Sequence, residues 1–347
     1  MTVSPRQQRL LACIDRSPQC SISTIAQQLG QPVSIPTLNR DLAHLVALGL
    51  IEKHGKARTT HYSLSTAYRL CQPVDLEAYF DQEPDARQGY TRFNEEVFAT
   101  LQGVSCFTVQ ELDELAQLQE RYQRNIAAYP PTLFAKEMER LTIELSWKSS
   151  QIEGNTYSLL DTERLFLEHE KAPNKPEADA TMLLNHKKAL GYLLAHPDLG
   201  SDVTVRLIEE LHALLIEGLG VGRNLRSRSV GVTGTAYKPL DTVYQIREAL
   251  EQSCEVINQK ASIFEKALLA VLLISYLQPF EDGNKRTGRM LGNAILIHGG
   301  MCPLSYRSVD SLVYKKAMLL FYEQTNLSAF KTLFLEQVRF SATTYFQ

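Results

Sequence analysis

Residues 278–289 read Gln278-Pro-Phe-Glu-Asp-Gly-Asn-Lys-Arg-Thr-Gly-Arg289, and the reading of this stretch decides the fold. Before it, residues 265–277 are apolar at nearly every position, too short a run to span a membrane and long enough for a buried helix. After it, residues 285–298 place Met290, Leu291, Ala294, Ile295 and Ile297 at helical spacing, and Gly299-Gly300 ends the run. The stretch is therefore a turn joining two helices. Gly283-Asn284 at the start of the second helix turns backbone N–H groups toward an anion, where the helix dipole adds partial positive charge. Arg286 and Arg289, three apart, share a helix face and suit different phosphates of one polyphosphate. Asp282 suits a magnesium ion bridging those phosphates. A solvated, charged helix start would carry the same Gly-Asn-Lys-Arg residues.

The full stretch resembles the signature of the Fic family, His-Pro-Phe-x-Asp-Gly-Asn-Gly-Arg-x-x-Arg. Pro279, Phe280, Asp282, Gly283, Asn284, Arg286 and Arg289 match it, Lys285 replaces the usual glycine as in the related Doc branch, and Gln278 replaces the histidine. The resemblance implies a mainly α protein: an all-helical Fic core with a small β-hairpin flap. It also implies an enzyme that moves AMP from ATP, with Mg2+, to a Ser, Thr or Tyr hydroxyl of a target protein. Gly283, Asn284, Lys285, Arg286, Arg289 and Asn293 become nucleotide contacts, Asn293 either facing adenine or lying on an exposed polar face. In the family the residue at 278 takes the proton from the attacking hydroxyl. Imidazole suits that task and a carboxamide does not, although Gln278 keeps its hydrogen-bonding capacity. The expectation is a site that binds nucleotide and has lost proton transfer, with neighbouring Glu281 as the one conceivable substitute base. Lys285 accompanies phosphate transfer in the Doc branch, whereas Arg289 and Glu153 favour the AMP-type orientation.

Two further segments carry the resemblance. Ser149-Ser-Gln-Ile-Glu153-Gly-Asn155 closes a helical pattern that begins near residue 133, and it is similar to the family's inhibitory motif, Ser/Thr-x-x-x-Glu-Gly/Asn. Ser149 and Glu153 are four apart and share a face. The resemblance implies that Glu153 reaches Arg289 as a bidentate pair and occupies the γ-phosphate position; Gly154 also fits a left-handed helix cap. Residues 223–239 read as β-rich, with Val230 and Val232 interrupted by Gly231 and Gly234 before Tyr237-Lys-Pro239. They are similar to the family's flap, which docks a target segment by strand addition, and an ordinary surface hairpin would look alike.

The Fic resemblance covers residues 93–347. Residues 1–70 have their own pattern: a short amphipathic helix over 6–14, a second capped by Ser23 and stopping at Leu29-Gly30, and a third over 34–48. The third helix aligns Leu38, Leu42, Leu45 and Leu48 and turns Thr37, Asn39, Arg40 and His44 away from them. Residues 52–64 then form two strand-like runs about Gly55 containing Lys53, Lys56 and Arg58. This is the outline of a winged helix-turn-helix. Residues 1–70 hold eight Lys/Arg and three Asp/Glu, a net of +5; against −3 for the whole chain, the remainder carries −8. Basic charge placed on a recognition helix and wing suits DNA phosphates, and Asn39 and Arg40 can read base edges. A protein-contact role for the same module stays open, and a two-fold site would call for a homodimer.

Residues 71–92, acidic and with Pro73, Pro84 and Gly89, read as a linker. Thr108-x-x-Glu111 is a capping box opening a helix to about residue 127, Pro130-Pro131 interrupts the chain, and residues 204–219, 244–260 and 311–320 have amphipathic helical spacing. At 347 residues and 44% hydrophobic composition, the chain supports one small and one larger core. Six scattered cysteines without a CxxC pair, no signal peptide and no long apolar span predict a reduced cytoplasmic protein without membrane attachment. The eight histidines are dispersed, so no zinc site is expected; His186 and His212 read as packing or surface residues and Trp147 as a core residue rather than a stacking platform. Two functional readings follow: a self-inhibited protein adenylyltransferase impaired at Gln278 and fused to a DNA-binding module, or a catalytically inactive ATP-binding transcriptional regulator.

Overall fold

A computed structural model describes residues 3–17, 19–29 and 33–347, the Arg58 side chain excepted. The chain forms two compact units, residues 1–73 and 74–347. It is mainly helical, and one two-stranded antiparallel sheet is present among the described residues.

In the first unit, α1 (Pro5–Arg16), α2 (Ile22–Gln28) and α3 (Ile35–Ala47) precede a hairpin of β1 (Ile51–His54) and β2 (His61–Leu64), then α4 (Thr66–Cys71). Each helix opens on a serine: Ser4, Ser21, Ser34 and Ser65 accept from backbone N–H groups of the first turn. Ser21 therefore caps α2, and Ser23, expected in that role, lies inside the helix; Gly30 is outside the described residues. Ile51 pairs with Leu64 and Lys53 with Tyr62, so the alternation of the strands sends Ile51, Tyr62 and Leu64 onto the same core as Leu10, Ile14, Ile25, Leu38, Leu42 and Leu45. Arg6 and buried Asp41 tie α1 to α3.

The second unit is built from α5 (Leu76–Phe80), α6 (Glu96–Gly103), α7 (Val109–Ala127), α8 (Pro131–Ile152), α9 (Leu159–Leu167), α10 (Glu177–Ala195), α11 (Val205–Leu215), α12 (Val243–Gln259), α13 (Ile263–Leu277), α14 (Asn284–His298), α15 (Ser311–Gln324) and α16 (Ser328–Thr344). Thr108 and Glu111 form the expected capping box on α7. Pro130 and Pro131 interrupt the helical run as expected, α7 ending at Ala127 and Pro131 opening α8, where a missing N–H costs nothing. The axis of the unit is α13, buried on every side. It lies close to α14 because Gly288 and Gly292 face it: a Cβ at Gly288 would stand 3.1 Å from the Val271 carbonyl oxygen, and one at Gly292 3.2 Å from that of Ala267.

Two expectations are corrected here. Residues 74–92, read as linker, fold onto the second unit: Tyr79 Oη donates to Glu323 Oε2 at 2.7 Å, and Arg87 Nη2 reaches Glu323 Oε1 at 2.8 Å and the Gly234 carbonyl at 2.6 Å. The cue was weak because the segment is held by buried polar side chains and not by an apolar stripe. Residues 223–239 form no hairpin. Their one bridge runs from Lys238 to Arg92, with Lys238 N donating to Thr91 O and Phe93 N to Lys238 O. The exposed Gly231 and Gly234 weaken strand pairing inside the loop, and its backbone groups find partners in an earlier segment instead.

Candidate active site

Helix α13 ends at Leu277, and Gln278 turns the chain in the left-handed region (φ 49°, ψ 58°), a strained state for a residue with a Cβ. Several neighbours fix that turn. The buried Arg226 guanidinium donates through Nε to the Gln278 carbonyl at 2.6 Å, and Arg226 N donates to Pro279 O. Asn284 Oδ1 accepts from Phe280 N at 2.9 Å, while its Nδ2 serves both Phe280 O and Gln278 Oε1. The His212 ring stacks on Phe280 at 3.6 Å and donates through Nε2 to the Asp282 carbonyl. Burial holds His212 at about 4, so it is neutral near pH 7. Gly283, at φ 80°, then starts α14. The Gln278 side chain completes the turn by donating through Nε2 to Ser275 O.

Beside the turn lies a cavity of about 310 Å3, lined by Gln278 and Lys285, by Ile152 and Glu153 at the end of α8, by Gly231, Val232 and Thr233 of the loop over residues 223–239, and by α15 from Ser311 to Tyr322. Of the predicted residues, Glu153, Gln278, Lys285 and Val232 meet there. Arg289 lies beneath it, 2% exposed. Its Nε donates to Ser149 Oγ (2.9 Å), its Nη2 to Ser149 O (2.8 Å) and its Nη1 to Tyr314 Oη (3.2 Å). Ser149 is itself held by His186, whose Nε2 stands 3.0 Å from Ser149 Oγ and whose Nδ1 stands 2.9 Å from Met182 O. Burial brings His186 down to about 3, leaving a neutral ring that donates to Met182 and accepts from Ser149.

Glu153 caps the C-terminus of α8 and is followed by Gly154 at φ 93°. Its Oε1 lies 3.0 Å from Arg289 Nη2 and its Oε2 2.8 Å from Lys285 Nζ. Burial alone would raise this carboxyl; the charges of Arg289 and Lys285 outweigh it and bring it to about 2. The expected bidentate pair with Arg289 is thus replaced by a carboxylate divided between two cations.

The remaining predicted residues lie apart from the cavity. Asp282 is exposed, with Oδ1 accepting from Gly283 N and Oδ2 3.2 Å from Arg286, whose guanidinium is buried against Leu215 O. Asn293 does not line this cavity: its Oδ1 accepts from Leu304 N and its Nδ2 donates to Leu304 O, and it is buried rather than on an exposed polar face. Of the residues expected in a flap, Val230 is half-buried, Pro239 is buried, and Tyr237 donates to Tyr276 O inside the core. Glu281 is exposed and does not line the cavity. Tyr314 and Arg226 escaped the sequence reading, since single polar residues within an apolar helix or a loop carry no local signal; His186, read as a packing or surface residue, is buried against Ser149.

In the first unit, Asn39 and Arg40 on α3 and Lys53 and Lys56 of the hairpin are exposed. Thr37 is half-buried and bonded to Ser34; His44, though exposed, bonds Gln7. The Arg58 side chain lies outside the described residues. Among the described residues there is no His/Cys/Asp/Glu group that could by itself hold a metal, and no helix long and apolar enough to cross a membrane.

Residues 202–296, from before α11 almost to the end of α14, match the family model described as Fic/DOC family. The chain carries a Fic/DOC domain. It is 30% identical over 176 residues to the protein adenylyltransferase Fic of Nematostella vectensis, covering 47% of this chain and 39% of that protein. It is 26% identical over 160 residues to the protein adenylyltransferase fic-1 of Caenorhabditis elegans, covering 44% and 31%. The chain thus spans well under half the length of these relatives. A Fic-domain signalling protein of Bacteroides thetaiotaomicron shares the fold, with a TM-score of 0.57 at 21% identity over 66% of this chain and 94% of that one. The matched Fic/DOC residues include Gln278, Lys285 and Arg289, whereas Ser149, Glu153 and Tyr314 come from helices outside them.

Proposed function

We propose that the Fic/DOC domain is a nucleotide site of the protein adenylyltransferase type, taking ATP with Mg2+ and a Ser, Thr or Tyr hydroxyl of a target protein, restrained by Glu153 and severely slowed at Gln278. The observation that carries this reading is the Glu153 carboxylate held by Arg289 and Lys285 at the cavity that Gln278 lines. Two cations converging on one carboxylate also suit a terminal phosphate, so carboxylate and nucleotide compete for the same charges. Asp282 is exposed, and one carboxylate with phosphates and water satisfies Mg2+; the ion would neutralise phosphate oxygens there. The acceptor hydroxyl must lose a proton as it attacks, and the Gln278 amide cannot take it. The relatives described as protein adenylyltransferases support the reaction class.

The test uses ATP labelled at the α-phosphate with the full chain, Glu153→Gly, Gln278→His and the double variant. Transfer in the double variant, at least about a hundredfold above Glu153→Gly alone, is the expected result. Binding of ATP by all four without transfer in any of them would remove the enzyme and leave the second reading, an ATP-binding transcriptional regulator. That reading draws support from the first unit, where three helices, a hairpin and the exposed Asn39, Arg40, Lys53 and Lys56 fit a winged helix-turn-helix on DNA, used as a homodimer on a two-fold site.

A further inference from the structure

The two cations that face Glu153 are not equivalent. Arg289 is fully enclosed, and every one of its nitrogens already has an aligned acceptor elsewhere: Ser149 Oγ, Ser149 O and Tyr314 Oη. Its approach to Glu153 at 3.0 Å is a contact of charges, and Glu153 Oε1 is a buried oxygen with no hydrogen-bond donor aligned on it. The well-aligned hydrogen bond on this carboxylate comes from Lys285 Nζ, at 2.8 Å to Oε2. The Lys285 side chain is 31% exposed and lines the cavity, so an unbranched stem can swing its ammonium where the guanidinium cannot.

We propose that Lys285 is the latch of this site: it holds Glu153 closed over the cavity and, when Glu153 leaves, turns the same ammonium onto the terminal phosphate of the bound nucleotide. The inference rests on the nucleotide reading above and adds to it a division of labour. Arg289, clamped by α8 and α15, is a fixed electrostatic floor. Lys285 is the group that exchanges one anion for the other, so the strength of self-inhibition is set at position 285. An exchange of this kind couples residues 153 and 285 in nucleotide binding: a lysine already spent on Glu153 yields less on meeting phosphate than a lysine that was free.

The experiment is a double-mutant cycle on the full chain, with ATP as the probe and Kd measured by calorimetry for the unaltered protein, Lys285→Met, Glu153→Gly and both together. Lys285→Met should weaken ATP binding at least about tenfold more in the Glu153→Gly background than where Glu153 is present, the scale of one charge-assisted hydrogen bond. Equal effects in the two backgrounds overturn the latch. A second measurement needs no nucleotide. The Glu153 carboxyl, followed by 13C NMR through an acid titration, should move up toward its ordinary value in Lys285→Met, and an unchanged titration overturns the latch whatever ATP does. Should Glu153→Gly fail to bind ATP while the carboxyl titration shifts as expected, the nucleotide reading falls and the Lys285–Glu153 latch stands.

Discussion

Gln278 Oε1 accepts a hydrogen bond from Asn284 Nδ2 at 3.0 Å, across the turn that separates α13 from α14. The Gln278 side chain is thereby built into the loop and does not point idly at solvent. Asn284 makes this possible because its carboxamide also closes on the backbone of Phe280 at both N and O. Asn284→Ala would leave the buried Phe280 N–H without an acceptor, so it should destabilise the protein by about 1–3 kcal/mol. A urea midpoint shift below that range, with ATP binding intact, would show that the turn is held mainly by Arg226 and His212.

The close approach of α13 and α14 depends on the absence of a side chain at position 288. A Cβ there already meets the Val271 backbone at 3.1 to 3.3 Å. Gly288→Ala should cost about 1–3 kcal/mol by overpacking, and Gly288→Leu should prevent folding of the second unit. Circular dichroism and thermal melting of the two variants measure this; an unshifted melt for Gly288→Leu would refute the contact.

Acid should weaken the fold through three buried groups. His186 and His212 sit at about 3 and about 4 in the folded protein, against 6.5 ordinarily, and Glu153 at about 2 against 4.5. All three are depressed, so the unfolded chain binds the proton first, and stability is full above each ordinary value and lost as pH falls toward the folded one. The histidines act from about pH 6.5 to 3–4, and Glu153 from about 4.5 to 2. Each group contributes a slope of at most about 1.4 kcal/mol per pH unit. His186→Gln should flatten the urea midpoint between pH 6 and 4, and an equally steep dependence in that variant would assign the acid sensitivity elsewhere.

Exposed Arg40 sits on α3 beside Asn39 in a segment of net positive charge. On the DNA reading, Arg40→Ala should weaken duplex binding by about tenfold, and the affinity of the unaltered chain should fall steeply with salt. Fluorescence anisotropy from 50 to 200 mM salt tests both, and salt-independent or absent binding would exclude DNA as the partner of this unit.

The helices that build the site were legible because their signals are local. The apolar run of residues 265–277, the Gly283-Asn284 break and the periodicity after it specify helix, turn and helix within one stretch of chain, and Thr108 with Glu111 specifies the start of α7 over a single turn. The left-handed state of Gln278 had no such signal, since it is imposed by Arg226, Asn284 and the end of α13 acting together. The hairpin expected over residues 223–239 failed for a related reason: Val230 and Val232 have strand propensity, but a strand needs a partner, and residues 91–93 supply one only to Lys238.

The sequence by itself determined that this protein carries a turn chemically suited to phosphate, a carboxylate at the end of an upstream helix, and an amide, Gln278, at the head of that turn, because those are facts of residue type and short-range spacing. Only the tertiary structure decided that Glu153 divides its carboxylate between Arg289 and Lys285, that Asn293 is consumed by Leu304, and that His186 stands behind Ser149. Such partnerships join residues far apart in the chain, 140 positions for Ser149 and Arg289. Their choice depends on how helices pack and which donors are already occupied, and nothing in local spacing records either.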